Sequence, residues 1–137
     1  MTPPGIVLDS NVIISAFLFG GQPARVVDRA LAGAVQCFTS LSILDEVREV
    51  IQRPKFGLSS AQVLALVQEY HDLCQVVSPT IKVRAVPADP DDNMILACAL
   101  AAGTNLIISG DAHRLSISQW RSIRILSPAE FMKEVEG

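Results

Sequence analysis

The hydrophobic pattern of the chain alternates between short apolar runs, typical of buried strands, and longer stretches with helical spacing. The first run, 5–9, predicts a strand that ends in an acid, Asp9, and an apolar helix follows over 10–19. A second helix is expected from Pro23 until Gly33, and a second strand over 35–38. The N-terminal part therefore predicts a strand-helix-helix-strand order.

The middle of the chain is predicted to be mainly helical. Ser40 is a favourable N-cap for a helix that ends before Pro54, and another helix extends from Ser59 or Ser60 to residue 73. Next come a short third strand over 75–78, an extended connection over 81–84 and a turn over 87–92.

The C-terminal part returns to alternating elements. An almost wholly apolar helix is expected over 91–102, closed by Gly103, and a buried strand over 105–109. The remaining elements are a short helix over 112–115, a strand over 122–126 and a helix over 128–135. Strands that alternate with helices predict a three-layer α/β/α sandwich with a central, mainly parallel sheet. The length of 137 residues suits one domain, 1–137.

Composition narrows the function classes. Half of the residues are hydrophobic and 18% are charged, which disfavours disorder, and no apolar run approaches the roughly 20 residues of a membrane span. The N-terminus lacks the pattern of a secretory signal, so we expect a cytoplasmic protein. The net charge of −3 argues against a generally basic nucleic-acid surface, so any contacts with RNA must be local or metal-mediated. Cys37, Cys74 and Cys98 are expected to be buried thiols.

Two acids follow predicted strands. Asp9 comes directly after the first strand, and Asp111 follows the buried strand over 105–109. Because ligands of open parallel sheets bind at the carboxyl ends of strands, both acids are expected at one rim of the sheet. Either acid alone is equally explained as a helix cap or turn residue.

Two further acids lie on helices expected to pack near this rim. Glu46 is on the helix after Ser40, where it is otherwise an ordinary exposed acid like Asp45. Asp92 is in the first turn of the apolar helix, where Asp89 as N-cap offers an alternative, capping explanation.

Carboxylates that converge in one cleft repel one another unless a cation is present. An acid cluster of this kind favours Mg²⁺ or Mn²⁺, which prefer oxygen ligands. Of the two histidines, His71 is expected on the surface, and His113, close to Asp111, either supports the site or has no role.

The chain resembles the PIN-domain nucleases, and in particular the prokaryotic toxins of toxin–antitoxin pairs related to VapC. Four ordered motifs carry this resemblance across nearly the whole chain: VLDSNVIISAF at 7–17, SLSILDEVREVIQRPKF at 40–56, DPDDNMILACALAAG at 89–103 and LIISGD at 106–111. The resemblance implies a PIN-like fold, dependence on Mg²⁺ or Mn²⁺, cleavage of RNA, a homodimer and a small antitoxin protein as partner.

The resemblance also assigns residues. It implies that the catalytic and metal-binding acids are Asp9, Glu46, Asp92 and Asp111, and that Asn11 and Ser109 support them. Asp91 remains the alternative to Asp92 if the helix begins one residue later.

The expected chemistry is hydrolysis of a phosphodiester by water at one or two metal ions. Arg25, Arg53 and Lys55 are candidates for substrate contact, although for each one alone the interpretation as an ordinary surface charge is favoured. One alternative is a non-catalytic PIN-like module that binds RNA or protein. Another is an aspartate-dependent phosphotransfer enzyme with Asp9 as nucleophile, disfavoured because Asn11 stands where a second acid is required.

Overall fold

The computed structural model describes residues 3–84 and 90–136. Within these ranges six strands form one sheet: β1 (Gly5–Leu8), β2 (Gln36–Thr39), β3 (Gln75–Val76), β4 (Leu106–Ile108), β5 (Gln119–Trp120) and β6 (Ile123–Leu126). Seven α-helices surround it in the same part of the chain: α1 (Ser10–Leu18), α2 (Gly21–Leu31), α3 (Leu41–Ile51), α4 (Ser60–Leu73), α5 (Pro90–Ala102), α6 (Ala112–Ile117) and α7 (Pro128–Glu136).

The sheet has the order β3-β2-β1-β4-β6-β5, and every neighbouring pair is parallel except β5 with β6. The chain moves outward from β1 to β2 and β3, then crosses back through α5 to β4 on the other side of β1. The strand order therefore reverses between β1 and β4, the switch point at which open α/β sheets form their ligand crevice. The predicted α/β sandwich with a mainly parallel sheet is confirmed.

Helix caps and apolar faces account for the local structure. The Ser40 side chain accepts a hydrogen bond from the N–H of Ile43 at 3.3 Å, as the sequence predicts. Ser59 and Gln62 form a reciprocal capping box at the start of α4. The buried core is continuous from β1 and β4 into α5, whose Ile95 and Leu96 are each 1% exposed.

Some boundaries differ from the sequence prediction. Helix α2 begins at Gly21 rather than in the turn of Pro23, and α6 continues to Ile117. The short antiparallel strand β5 and a 3₁₀ turn at Pro54–Phe56 were not predicted, because neither has a periodic hydrophobic pattern long enough to recognise. The proposed N-cap Asp89 lies outside the described residues.

Two of the three thiols, Cys37 and Cys98, are fully buried, and Cys74 is partly buried; all three are free. In the described ranges no helix has both the length and the apolar character required to cross a membrane.

Candidate functional site

The pairing of β1 with β4 brings two strand ends together. Asp9 follows β1, and its main-chain N–H donates to the carbonyl of Ile108 in β4 at 2.9 Å. In the next residue, the Ser109 hydroxyl donates to Asp9 Oδ2 at 2.6 Å and accepts from the N–H of Asp111 at 3.0 Å. Ser109 thus connects both strand-end acids.

Asn11 joins the same loop from the first turn of α1. Its side-chain Oδ1 accepts from the N–H of Gly110 at 3.3 Å. The position of Asn11 therefore suits the supporting role that the resemblance implies for it, since the contact connects α1 with the loop that carries Asp111.

Asp9 is completely buried, and capping does not explain it. It precedes α1 at the N-cap position, yet its side chain makes no capping hydrogen bond. Its carboxylate instead accepts from Ser109, from Arg114 and, at 3.4 Å, from the Ser10 hydroxyl. A buried carboxylate has to be compensated by such partners.

Asp92 is the buried member of the acidic pair at the start of α5. It is 3% exposed, whereas Asp91 lies on the exposed side of the same turn. Asp92 Oδ1 accepts from Arg114 Nε at 2.7 Å, and Asp92 Oδ2 lies 2.8 Å from His113 Nδ1. The structure thus brings Asp92, and not Asp91, to the strand ends.

Arg114 bridges the two most buried acids. Its Nη1 lies 2.6 Å from Asp9 Oδ2 while its Nε contacts Asp92, and the side chain is 11% exposed. Burial opposes the charge of the guanidinium, but the neighbouring carboxylates outweigh burial and raise the pKa of Arg114 above its usual value. Arg114 therefore stays charged and neutralises part of the cluster.

Asp111 is both a strand-end acid and a helix cap. Its Oδ2 accepts from the main-chain N–H of Arg114 at 3.0 Å and caps α6. Asp111 is therefore a helix cap in this structure. It also lies close to Asp92, so capping does not exclude a role in the acidic cluster.

Asp92, Asp111 and His113 form a group that offers one ligand atom from each residue, all within 4.8 Å of one another. Among the described residues, no other group of three or more aspartate, glutamate, histidine or cysteine side chains is close enough to hold a metal ion. Sequence reasoning left the role of His113 open, and the structure places its ring against Asp92.

Glu46 approaches the cluster from α3. Its Oε2 is buried and has no hydrogen-bond partner among the described residues. Burial raises the pKa of Glu46, and the charges of Asp9 and Asp91 raise it further, whereas the charge of Arg114 and a side-chain hydrogen bond with Ser10 lower it. A buried carboxylate oxygen without a donor is a position that a cation can satisfy.

An open groove of 640 Å³ extends from the acids along α1 and α3. Glu46, Asp111 and Arg114 line one part of it, and Lys55 and Phe56 line another. At its edge Phe19 is 73% exposed. The groove thus places a cation and aromatic surface beside the carboxylates.

The three cations predicted to contact substrate lie at different places in the structure. Lys55 lines the groove, and Arg53 lines an adjacent cavity with Glu46 and Asp91. Arg25 instead forms an ion pair with Glu136.

Arg114 is the residue that sequence reasoning missed. A signal was present, because Arg114 is three residues after Asp111 and therefore one helical turn away from it. Its contacts with Asp9 and Asp92 depend on tertiary packing and have no local signature.

The model of the family described as PIN domain matches residues 5–113, so the chain belongs to the PIN-domain family. A solved structure, the crystal structure of VapBC2 from Rickettsia felis bound to a DNA fragment from their promoter, is similar in fold. Its TM-score is 0.64 at 11% sequence identity, over 90% of this chain and 98% of that chain. No curated protein matches the sequence.

Proposed function

We propose that this PIN-domain protein is a metal-dependent endoribonuclease. The observation that carries the proposal is the convergence of Asp9, Asp92 and Asp111 at the switch point of the sheet, beside a groove that contains Lys55. PIN domains are typically nucleases, which agrees with this chemistry.

The donor set fits a divalent cation that prefers oxygen ligands. Asp92, Asp111 and His113 offer ligand atoms within 4.8 Å of one another. Asp9, which shares Arg114 with Asp92, and Glu46, through its unpartnered Oε2, would complete the set. Mg²⁺ and Mn²⁺ suit carboxylates best, and a single imidazole from His113 is compatible with Mn²⁺. When bound, such a cation neutralises charge on the scissile phosphate and lowers the pKa of a bound water.

The chain's own residues would prepare the site for this chemistry. Ser109 holds the Asp9 carboxylate in a fixed orientation, and Asn11 holds the loop between β4 and α6. Lys55 lines the groove and would contact a phosphate of the substrate, and the exposed ring of Phe19 would offer a surface on which a base stacks.

Cleavage of a mixed RNA pool with mapping of the new ends tests the proposal. We expect cleavage with Mg²⁺ or Mn²⁺, none in EDTA and none by Asp9→Asn, while Asp28→Asn, an exposed aspartate on α2, keeps full activity. Cleavage in EDTA, or full activity of folded Asp9→Asn, would contradict the metal mechanism.

We also propose that the protein is the toxin of a toxin–antitoxin pair and forms a homodimer. The fold similarity to a VapBC2 structure supports a relation to such toxins. Expression should arrest growth of a bacterial host, coexpression of the product of an adjacent small reading frame should relieve the arrest, and light scattering should give twice the mass of the chain. Normal growth despite cleavage in vitro would contradict the toxin role and leave the nuclease activity supported.

One observation favours a second candidate, a PIN-like module that binds RNA or protein without cutting. Arg114 already compensates Asp9 and Asp92, as expected for a site that holds no metal. Calorimetric titration with Mn²⁺ distinguishes the two functions: the nuclease must bind the ion and lose affinity in Asp9→Asn and Asp111→Asn, whereas a non-catalytic module need not bind it.

A further inference from the structure

We infer that Arg114 is a resident counter-cation that a divalent metal ion has to displace, so that loading of the site is an exchange of one cation for another. The inference rests on the proposed metal-dependent function. Arg114, which is not one of the four acids, would thereby set the affinity of the site for the metal ion.

The contacts of Arg114 show which ion pairs a divalent cation would compete with. Its guanidinium uses Nη1 on Asp9 Oδ2 at 2.6 Å and Nε on Asp92 Oδ1 at 2.7 Å. These oxygens belong to the two most buried carboxylates of the cluster. A divalent cation held by the same two carboxylates would repel the guanidinium, because like charges a few ångströms apart in a buried site oppose each other strongly.

A second connection couples the two cations through the backbone. Asp111 Oδ2 caps α6 by accepting from the N–H of Arg114 itself. If Asp111 turns its carboxylate toward a metal ion, the first turn of α6 loses this cap, and the backbone that positions the Arg114 side chain becomes less constrained. Recruitment of Asp111 and release of Arg114 therefore favour each other.

The exchange has a functional consequence. In the metal-free protein, Arg114 would provide the compensation that buried Asp9 and Asp92 require, so folding would not depend on a bound metal ion. The same ion pairs raise the concentration of divalent cation that is needed to load the site, because part of the binding free energy is used to break them.

Calorimetric titration of the full chain with Mn²⁺ alone tests this inference. Compared with wild type, Arg114→Gln should bind Mn²⁺ about tenfold more tightly, which is a typical strength of coupling between two ligands. Its metal-free Tm should fall and its Mn²⁺-induced rise in Tm should increase. Arg124→Gln, which removes an arginine paired with Glu134 on the surface, should change neither affinity nor the Mn²⁺-induced rise.

A purely structural role for Arg114 predicts the opposite result, because a loosened site binds metal more weakly. Folded Arg114→Gln with unchanged or weaker Mn²⁺ affinity would therefore overturn the inference. If that variant does not fold, Arg114→Lys replaces it. The single ammonium is expected to bridge the acids less well, so Mn²⁺ affinity should exceed that of wild type, and equal or lower affinity would overturn the inference.

Nuclear magnetic resonance provides a direct readout in the wild-type protein. The Nε–H signal of Arg114, assigned by its loss in Arg114→Lys, should be protected from exchange in EDTA and should exchange faster at saturating Mg²⁺. An unchanged signal while Mg²⁺ is bound would contradict displacement. Absence of metal binding by wild type and all variants would refute the proposed function together with this inference, whereas binding without displacement would refute the inference alone.

Discussion

The hydroxyl of Ser109 donates to Asp9 Oδ2 at 2.6 Å and accepts from the main-chain N–H of Asp111 at 3.0 Å. A single small side chain at the end of β4 thus connects the acid that follows β1 with the acid that follows β4, its neighbour in the sheet. The contact stabilises the fold and orients the site at the same time, so its removal should affect both.

Replacement of Ser109 by alanine should lower the free energy of unfolding by about 1–3 kcal/mol, since a buried charged acceptor loses a donor. Loss of this support for Asp9 should weaken Mn²⁺ binding by about tenfold to a hundredfold. Urea unfolding and calorimetry measure the two effects, with Ser60→Ala, an exposed serine on α4, as control. Equal Mn²⁺ affinity in Ser109→Ala and wild type would show that the hydroxyl does not orient Asp9.

Replacement of Glu46 by glutamine should stabilise the metal-free protein at neutral pH. Burial raises the pKa of Glu46 in the folded state above its value in the unfolded chain, so the charged form costs stability at pH 7. As the pH falls below about 4, the carboxyl is protonated in both states and the difference disappears. Thermal unfolding in EDTA across this pH range measures the effect.

Glu49→Gln is the matched control for this measurement, because Glu49 lies on the same helix and is exposed. A lower Tm of Glu46→Gln at pH 7, or a difference in Tm that does not vary with pH, would contradict the expected role of burial.

The neighbouring acids Asp91 and Asp92 should differ sharply in their effect on metal binding. Asp92 is buried against Arg114 and His113, whereas Asp91 is exposed. In calorimetric titrations with Mn²⁺, Asp92→Asn should therefore lose at least about tenfold in affinity, the effect expected when one ligand of the site is removed. Asp91→Asn should bind nearly as wild type does, and the reverse order would assign the metal to Asp91.

The thiols of the native protein should react slowly at pH 8. Burial raises the pKa of Cys98 to about 11, although a hydrogen bond with Ser40 lowers it in part, and burial also raises the pKa of Cys74. At pH 8 only about one Cys98 side chain in a thousand is then the reactive thiolate. A chromogenic disulfide reagent should label three thiols rapidly in guanidinium and none rapidly without it. Rapid native labelling of one thiol would show that its burial is incomplete.

The sequence by itself determined the order of the elements and the class of fold. Periodic apolar positions, the Ser40 cap and the acids that follow two buried strands are local properties. They were sufficient to predict a site at the carboxyl ends of β1 and β4. Local patterns also predicted the helix on which Glu46 lies. They did not predict β5, which is two residues long and is formed by pairing with β6.

Only the tertiary structure decided how the acids are compensated. From sequence, Asp91 and Asp92 were alternatives for the metal-site acid, and the structure buries Asp92 and leaves Asp91 exposed because one side of α5 faces the sheet. Arg114 reaches Asp9 across 105 positions of the chain. That contact exists because β1 pairs with β4 and α6 follows β4 at the switch point. The periodic pattern of a sequence does not show which side chains this pairing of distant strands brings within hydrogen-bond distance.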